Sequence, residues 1–518
     1  MRFIPVNLTH FLVELSSLEE TLALFDSLTD TLPSGIDEII PAARTLLIRF
    51  QPLQTNMQRL ATDIALRPKV SVSRPRGQTI IIPVHYQGED LGTLADLSGL
   101  TVLQVIQHHQ ESVWKVAFTG FAPGFAYLTS PDWKWQIPRR STPRTRIPAG
   151  SVAVAGIFSG IYPQASPGGW QLLGHTERPM WDLNQTSPAL LTPGAQVQFI
   201  PHENGKTISL PARAPSVPHI SEKDASLTIL ATGLQTLWQD EGRAGKASMG
   251  LSASGAMDKQ ALYSANRIVG NPREACCLEV TQGGLRIRAN KDLVLAVTGA
   301  PCLLTLTTAD GQDFLLAGYR PLNLAAGDQL ALGTPPRGLR SYLAVRGGFV
   351  VPSVLGSCSW DSLAQTGPQP LCSGDAIQTG SHVSFSAVLL DEQPANILPA
   401  AGETVTLDIM PGPRTDWFTP ESATLLTTQC WQVTPQSNRI GLRLTGMEPL
   451  TRSRTEELPS EGTCSGAIQV PANGQPVLFL RDNPVTGGYP VIAVVADYHL
   501  DLAGQIPPGV FIRFRVVS

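Results

Sequence analysis

Glycine and proline divide this chain into short segments from one end to the other. Its 518 residues include 46 glycines and 43 prolines, spread along the sequence rather than clustered in repeats. Proline removes a backbone donor and glycine permits tight turns, so both residues interrupt long helices. The pattern therefore predicts many short β-strands joined by turns, with few long helices.

Length and composition limit the classes of protein. A chain of this length predicts about three to four domains. Hydrophobic residues make up 42% and charged residues 15%, so each domain can bury a core. The net charge of −4 gives no electrostatic reason to expect nucleic acid or a membrane surface as a partner. The seven cysteines include no Cys-x-x-Cys pair, so we expect neither a metal site nor a disulfide framework.

The amino terminus reads as part of the mature fold. It has no basic segment followed by an unbroken apolar run, so a signal peptide is not predicted. No stretch approaches the ~18 apolar residues that a membrane-spanning helix needs. We therefore expect a cytoplasmic protein, with homo-oligomer formation left open.

Changes of pattern along the chain predict four domains and one linker. Ser17 and Glu20 predict a capping box at the start of the first helix. The predicted units are a small α/β domain (1–78), a second domain (79–203), a polar, proline-bearing linker (204–226) and two further β-rich domains (227–400 and 401–518). Strands are predicted over 3–15, 45–50, 80–85, 197–200, 227–231, 293–297, 339–345 and 405–410, and helices over 18–28 and 258–269.

The segment GFAPGFAYL, residues 120–128, combines glycines and a proline with aromatic rings. Such a loop is rigid and can bring backbone N–H groups close to a ligand. Its candidate binding residues are Phe121, Pro123, Gly124 and Tyr127. A tight turn packed on a core is the alternative interpretation.

The next segment, PRRSTPRTRIPAGS (138–151), places four arginines among prolines. Guanidinium groups match the geometry of carboxylates and phosphates, so the segment is a candidate anion-binding loop with Arg139, Arg144 and Ser151 as candidate contacts. A solvated charged loop is the alternative.

The segment SPGGWQLLGHT, residues 166–176, adds Gly168, Gly169 and Trp170 as candidate binding residues. His175 could polarise a carbonyl group or carry a proton near neutral pH. A histidine that is hydrogen-bonded for structural reasons is the alternative interpretation.

These three segments, in this order, resemble the family that contains the B-type protein of 5-oxoprolinase and the kinase inhibitor KipI. The resemblance covers residues 80–200. It implies a cyclophilin-like β-barrel for this region, preceded by a small ferredoxin-like domain. One departure is the segment EDLGTLADL at 89–97, which is shorter than is usual in the family.

The second half contains a segment that is superficially similar to a phosphate-binding loop. In GRAGKAS the required first glycine is Asp240, and Ala247 replaces the hydroxyl residue after Lys246, so we reject a Walker motif. Arg243 remains a candidate contact. Asp258 begins a predicted helix, where a cap is the favoured role over catalysis, and Asn266 lies on the same helix.

Acids and glycines mark further candidates towards the carboxyl end. Glu279 stands in an otherwise apolar strand, either as a buried, partnered carboxylate or as a pocket acid with a raised pKa. The segment Thr486–Tyr489 could cradle a phosphate or a carbonyl oxygen, or could be a hairpin with a packed tyrosine. The candidate contacts of this region are Asn438, Arg439, Gln469, Thr486, Gly487, Gly488 and Tyr489, and Asp482 joins His175 and Glu279 as candidate catalytic groups.

The second-half segments resemble the C-type protein of 5-oxoprolinase, also called KipA or the second allophanate hydrolase component, and the carboxyltransferase region of urea carboxylase. The resemblance runs from about residue 230 to 515 and implies two β-barrel domains, so the whole chain is expected to be mainly β with α+β parts. Two departures fall between 356 and 375. Cys358 and Trp360 stand where the family has arginine and threonine, and Gln369-Pro370 replaces Gly-Arg.

The two resemblances together imply a fusion of the B and C subunits of 5-oxoprolinase. The implied reaction is ATP-dependent hydrolysis of 5-oxoproline to glutamate, with Mg accompanying ATP. It also implies a separate A-type protein of the LamB/YcsF kind, without which the chain is expected to be inactive. Two alternatives are a carboxyltransferase acting on a urea-like amide, with biotin on a partner, and a KipI-type inhibitor of a sensor histidine kinase. An activated lactam needs anion-binding donors and an acid–base group, and the candidate residues supply both types.

Overall fold

A computed structural model describes residues 1–67, 79–142, 144–202, 224–381, 383 and 392–517. The predicted linker therefore lies outside the described residues, apart from its last three positions. Within the described part, no helix is long and apolar enough to cross a bilayer.

The amino-terminal unit is a four-stranded antiparallel sheet covered by helices. The predicted strand over 3–15 is a hairpin of two strands, so the unit does not begin with strand, helix and strand. The elements are β1 (Arg2–Pro5), β2 (His10–Glu14), α1 (Leu18–Asp30), β3 (Ile36–Pro41), β4 (Thr45–Phe50) and α2 (Met57–Ala65), with the sheet order β1-β2-β4-β3.

The start of α1 differs in detail from the predicted capping box. Ser17 accepts a hydrogen bond from the Glu20 amide, as expected for an N-cap residue. The Glu20 carboxylate, however, accepts from the Ser16 amide at 3.2 Å rather than from Ser17. The cap is therefore present, with its reciprocal half displaced by one residue.

The second unit is a nearly closed barrel. A seven-stranded sheet has the order β12-β9-β10-β7-β6-β13-β5, and an isolated bridge between His85 and His175 joins its two edges. The elements are β5 (Ile80–Val84), α3 (Leu91–Ser98), α4 (Val102–Glu111), β6 (Trp114–Thr119), β7 (Ala126–Thr129), β8 (Arg144–Ile147), β9 (Ser151–Ala155), β10 (Phe158–Ile161), β11 (Ser166–Gly168), β12 (Gln171–His175) and β13 (Gln196–Pro201).

The third unit packs two sheets around a shared apolar core, and one helix covers the other face of the five-stranded sheet. The sheet orders are β20-β19-β22-β17-β14-β24 and β15-β16-β23-β18-β21. The elements are β14 (Leu227–Thr232), β15 (Gln235–Gln239), α5 (Lys259–Val269), β16 (Cys277–Thr281), β17 (Leu285–Ala289), β18 (Leu293–Gly299), β19 (Leu304–Thr307), β20 (Asp313–Leu316), β21 (Leu322–Leu324), β22 (Gln329–Leu332), β23 (Arg340–Val345) and β24 (Ala376–Ile377).

The last unit is a closed barrel, in which β25 pairs with β33 in parallel and with β32 in antiparallel. The expected mainly β architecture with barrel units is thus confirmed. The elements are β25 (Thr404–Pro411), α6 (Pro420–Thr428), β26 (Trp431–Val433), β27 (Gly441–Thr445), β28 (Glu461–Gly462), β29 (Ala467–Gln469), β30 (Val477–Phe479), β31 (Thr486–Gly487), β32 (Val491–Val495), α7 (Leu500–Ala503) and β33 (Phe511–Val516).

The first and last units pack directly on each other. Leu12 and Leu47 of the amino-terminal sheet share one buried apolar cluster with Phe479 and Val494 of the last barrel. The amide of Ala43 donates to the Ser460 carbonyl at 3.1 Å, which links the backbones of the two units. The first and last units of the chain are therefore joined by a continuous apolar core.

Truncation of Leu47 tests this packing. Leu47 is 1% exposed, so Leu47→Ala should lower the free energy of unfolding by about 2–5 kcal/mol and expose the amino-terminal unit to protease. Leu8, which is 59% exposed, is the matched control, and Leu8→Ala should leave both properties nearly unchanged. Equal effects of the two substitutions in urea unfolding and limited proteolysis would contradict a shared core.

Candidate functional site at the junction of the two halves

The loop after β6 brings the first half against the second. Phe121 has φ +66° and Gly124 has φ +77°, so the loop contains two left-handed positions. The Gly124 amide donates to the Met249 carbonyl at 3.1 Å. A Cβ atom on Gly120 would lie 2.1 Å from Thr486 Oγ1, so only glycine fits this contact between the halves. Pro123 is buried in the same loop.

Aromatic rings pack behind this loop. Phe125 contacts Trp170 edge to face with a centroid distance of 5.4 Å, and Tyr127 contacts Trp170 at 5.6 Å. Phe121 packs on Phe125 at 5.3 Å. Gly168 permits the close approach of Tyr162, whose hydroxyl would lie 2.4 Å from an added Cβ. The packed rings form one wall of the junction, and the backbone and the polar groups of the loops lie in front of this wall.

Polar groups of both halves meet beside that wall. The pKa of the Tyr127 phenol is raised, because burial raises it by more than the nearby Arg139 cation lowers it. Arg139 lies 3.8 Å from Glu457, and its side chain is 35% exposed, so the cation is only loosely paired. A Cβ atom on Gly488 would lie 3.4 Å from Arg139 Nη1, which places the Gly-Gly segment next to this guanidinium.

The segment 486–489 forms the second-half wall of the junction. Thr486 and Gly487 form the short strand β31, which pairs with β28 at residues 461–462, so the segment is not the local hairpin of the alternative interpretation. Gln469 fixes the segment by donating to the Tyr489 carbonyl at 3.1 Å. The Thr486 Oγ1 atom is buried near the Tyr127 hydroxyl, without a well-formed hydrogen bond to the described residues. The Tyr489 ring is 44% exposed beside Arg452.

Arg144 does not offer a free guanidinium at this junction, which corrects its prediction as an anion-binding contact. Both of its Nη atoms donate to the Asp90 carboxylate at 2.9 Å, and Asp90 also accepts from the Leu172 amide. Burial opposes ionisation of Asp90, but the Arg144 and Arg140 guanidinium groups and the Leu172 amide outweigh it and hold the pKa below its usual value. Arg144 therefore ties the start of β8 to the residue that precedes α3.

His175 and Ser151 lie outside the junction. They form a cross-strand pair of β12 and β9, at the end of β12 opposite Trp170, roughly 15 Å along the strand. The exposed His175 ring stacks on His85 with a centroid distance of 4.7 Å. These contacts place the His175 ring in a stack with His85, apart from the junction.

Glu279 and Asp482 are fully buried and share the guanidinium of Arg439. Arg439 donates to Asp482 from Nε at 2.9 Å and to Glu279 from Nη1. Glu279 also accepts from Tyr342 at 2.7 Å, as the partnered-carboxylate interpretation predicts. Burial raises and Arg439 lowers the pKa of Asp482, with a net lowering. Both carboxylates have 0% exposure, so these contacts favour support of the loops over contact with a substrate.

Four further candidate residues have structural partners inside the second half. The carboxylate of Asp258 accepts from the Ala261 amide at 2.9 Å, so the predicted cap of α5 is confirmed. Burial raises the pKa of Asp258 to about 7. Asn266 donates to the Ala275 carbonyl at 2.7 Å, and Arg243 is buried against the Ser359 carbonyl. The Asn438 side chain caps the turn before β27 by accepting from the Ile440 amide at 2.9 Å.

The junction also contains residues that the motifs did not indicate. Ser460 lies beside Tyr127, Glu457 pairs with Arg139, and Gly250 contacts the Ala122 carbonyl. The segment 453–461 is polar, without apolar periodicity, and resembles an ordinary surface loop in the sequence. Only its position against the first half identifies it.

Comparison with known proteins agrees with this two-part arrangement. The family described as carboxyltransferase domain, subdomain C and D, matches residues 1–191. The family described as carboxyltransferase domain, subdomain A and B, matches residues 249–516, just over half of the chain. The chain belongs to the carboxyltransferase family.

Two relatives each match one part of this carboxyltransferase chain. It is 37% identical over 288 residues to the 5-oxoprolinase C subunit of Escherichia coli, covering 56% of this chain and 90% of that protein. It is 42% identical over 156 residues to the 5-oxoprolinase B subunit of Haemophilus influenzae, covering 30% of this chain and 70% of that protein. The recognition of a fused chain, similar to the B and C subunits, is thereby confirmed.

Solved structures match the carboxyltransferase chain both as a whole and in part. The crystal structure of TTHA0988 has a TM-score of 0.82 at 32% identity and covers 98% of this chain and 99% of that chain. The urea carboxylase of Kluyveromyces lactis has a TM-score of 0.52 at 30% identity and covers 58% of this chain but 28% of that chain. The fold of the entire chain therefore occurs elsewhere as one unit.

Substitution of Gly120 tests the contact between the halves. Gly120→Ala should cost about 1–3 kcal/mol in the free energy of unfolding, because Thr486 Cγ2 and Cβ also lie at 2.7 and 2.9 Å from the added atom and rotation cannot clear it. Gly92→Ala is the matched control, since an added Cβ there meets nothing within 4 Å. Adding Thr486→Gly should restore much of the stability of Gly120→Ala. Failure of this rescue in urea unfolding would contradict the contact.

Proposed function

We propose that this chain supplies the B-type and C-type parts of an ATP-dependent 5-oxoprolinase. With a separate A-type protein, it opens the lactam ring of 5-oxoproline to give glutamate. The observation that carries the proposal is the meeting of loop 120–127, Arg139 and segment 486–489 at one junction between the halves. The names of the relatives, the B and C subunits of 5-oxoprolinase, support the substrate class.

The junction offers groups suited to binding an amidic acid and to a phosphoryl transfer. Arg139 carries a partly exposed cation, which can hold the substrate carboxylate or a phosphate of ATP. Gly488 has no side chain, so a ligand can approach its backbone closely. A tyrosine phenol is protonated near neutral pH, and burial raises the pKa of Tyr127 further, so its hydroxyl can donate to a developing oxyanion.

The test is reconstitution of the chain with its A-type partner, ATP and Mg²⁺. We expect glutamate release from 5-oxoproline only when all of these are present, with ADP formed in step. Carboxylation of a urea-like amide that depends on a biotinylated partner would instead favour the carboxyltransferase alternative. The similarity to urea amidolyase of Saccharomyces cerevisiae supports that alternative. Kinase inhibition without turnover would favour a KipI-type inhibitor.

Arg139 is the first side chain to change. Arg139→Ala should lower kcat/KM for 5-oxoproline by about 100-fold, since a charged donor to the substrate is lost. Arg146→Ala is the matched control, because Arg146 lies exposed on β8 of the same arginine-rich segment. Equal losses for both variants, or none for either, would contradict a binding role for Arg139.

Substitution of Thr486 tests whether its hydroxyl acts in the reaction or only supports the structure. Thr486→Val keeps the shape and removes a buried hydroxyl that makes no well-formed bond to the described residues, so the melting temperature should not fall. Loss of activity at unchanged stability is the expected outcome. Unchanged kcat and KM would exclude the hydroxyl from the reaction.

A further inference from the structure

Two of the seven free cysteines lie against each other in the third unit. Cys276 immediately precedes β16, and Cys358 lies in the segment between β23 and β24. Both belong to the same apolar cluster, and their thiols are hydrogen-bonded to each other. The two sulfur atoms are therefore neighbours, although the residues are far apart in the sequence.

Asp240 holds Cys358 beside Cys276. The pairing of β15 with β16 ends at Cys277, which places Asp240 opposite Cys276 at the end of this strand pair. The Asp240 carboxylate accepts from the Cys358 amide at 2.6 Å and from the Ser357 hydroxyl at 2.5 Å. The backbone around Cys358 is thus fastened to the strand pair that carries Cys276, so the contact between the thiols is built into the fold.

The two thiols differ in exposure and in acidity. Cys276 is 9% exposed, and burial raises the pKa of its thiol. Cys358 is only partly buried, and its pKa is lowered, because the hydrogen bond from Cys276, helped by the Arg243 cation, outweighs burial. Arg243 is 2% exposed, and its Nη1 atom makes no hydrogen bond to the described residues, so part of its charge is left for a thiolate. Because the thiolate is the form that reacts with oxidants, Cys358 is the more reactive of the pair.

An accessible thiolate beside a second thiol favours oxidation that ends in a disulfide. With a hydroperoxide as the oxidant, the Cys358 sulfur attacks one peroxide oxygen and the O–O bond breaks. The products are the sulfenic acid of Cys358 and an alcohol, or water from hydrogen peroxide, which takes up the thiol proton. The Cys276 sulfur then attacks the sulfenic sulfur, the S–O bond breaks, and hydroxide leaves with the Cys276 proton as water. Two electrons pass from the two sulfur atoms to the peroxide.

We propose that Cys358 and Cys276 form a peroxide-sensitive thiol pair, in which Cys358 is oxidised first and Cys276 closes a reversible disulfide. The disulfide fastens the segment that carries Cys358 to the start of β16.

The same segment contacts two other units of the chain. The Gln164 side chain of the second unit donates to the Leu363 carbonyl at 2.8 Å. The Ser362 hydroxyl donates to Asp482 of the last barrel at 2.7 Å. Oxidation of the pair therefore restrains a segment on which three units meet.

The test exposes the reduced full chain to hydrogen peroxide and maps its cysteines by alkylation and peptide mass spectrometry. We expect one disulfide, between Cys276 and Cys358, with the other five cysteines still alkylated. It should form roughly tenfold faster than the exposed Cys372 is oxidised, and a small dithiol should reverse it. Because only peptide masses are measured, the result is independent of the proposed oxoprolinase activity.

Two variants test the order of the steps. Cys276→Ala should leave Cys358 as a sulfenic acid that dimedone traps, whereas Cys358→Ala should leave Cys276 reduced. Cys372→Ala is the matched control and should keep the disulfide. Overoxidation of Cys358 without a disulfide in the unsubstituted chain, or a disulfide that contains Cys372 instead, would overturn the proposal. This mapping of the unsubstituted chain decides the matter even where a variant does not fold.

Discussion

Arg439 is the cation around which the second half is arranged. It is 2% exposed and bonds to Glu279 of the third unit and to Asp482 of the last barrel. A buried charge that loses a partner is strongly destabilising, whereas a complete set of partners is tolerated. Separation of the two β units would break the buried ion pair between Arg439 and Glu279, so this contact favours a fixed relation between them. Tyr342, Ser254 and Ser362 complete the hydrogen bonds of the carboxylates.

This arrangement extends from the core to the junction. Asp482 holds the start of the segment that continues to Thr486 and Gly488, so the position of the junction wall depends on a carboxylate that no substrate reaches. The opposite wall depends on Asp90 in the same way, because its bonds to Arg140 and Arg144 hold the loop that carries Arg139. Buried acids thus position the loops, while weakly paired groups remain at the surface between them.

Much of the fold was predictable from the sequence, and much of the site was not. The strand over 45–50 and the helix capped by Asp258 follow from local apolar periodicity and capping chemistry. The segments around Gly120, Arg139 and Thr486 were recognised by composition, but sequence cannot distinguish an arginine that faces a junction from one that binds a carboxylate. Arg144 binds a carboxylate because Asp90 lies next to it, whereas Arg139 is only loosely paired and faces the junction. The same limit applies to His175, whose position depends on strand direction.

The packing of the amino-terminal sheet on the last barrel has a consequence for assembly. In the relatives, the corresponding parts are named as two subunits, B and C. Here the apolar cluster of Leu12, Leu47, Phe479 and Val494 forms within one polypeptide. Tethering replaces a bimolecular encounter with an intramolecular one, so the effective concentration of each half for the other is set by the chain. Dilution does not separate the halves, and their ratio is always one to one.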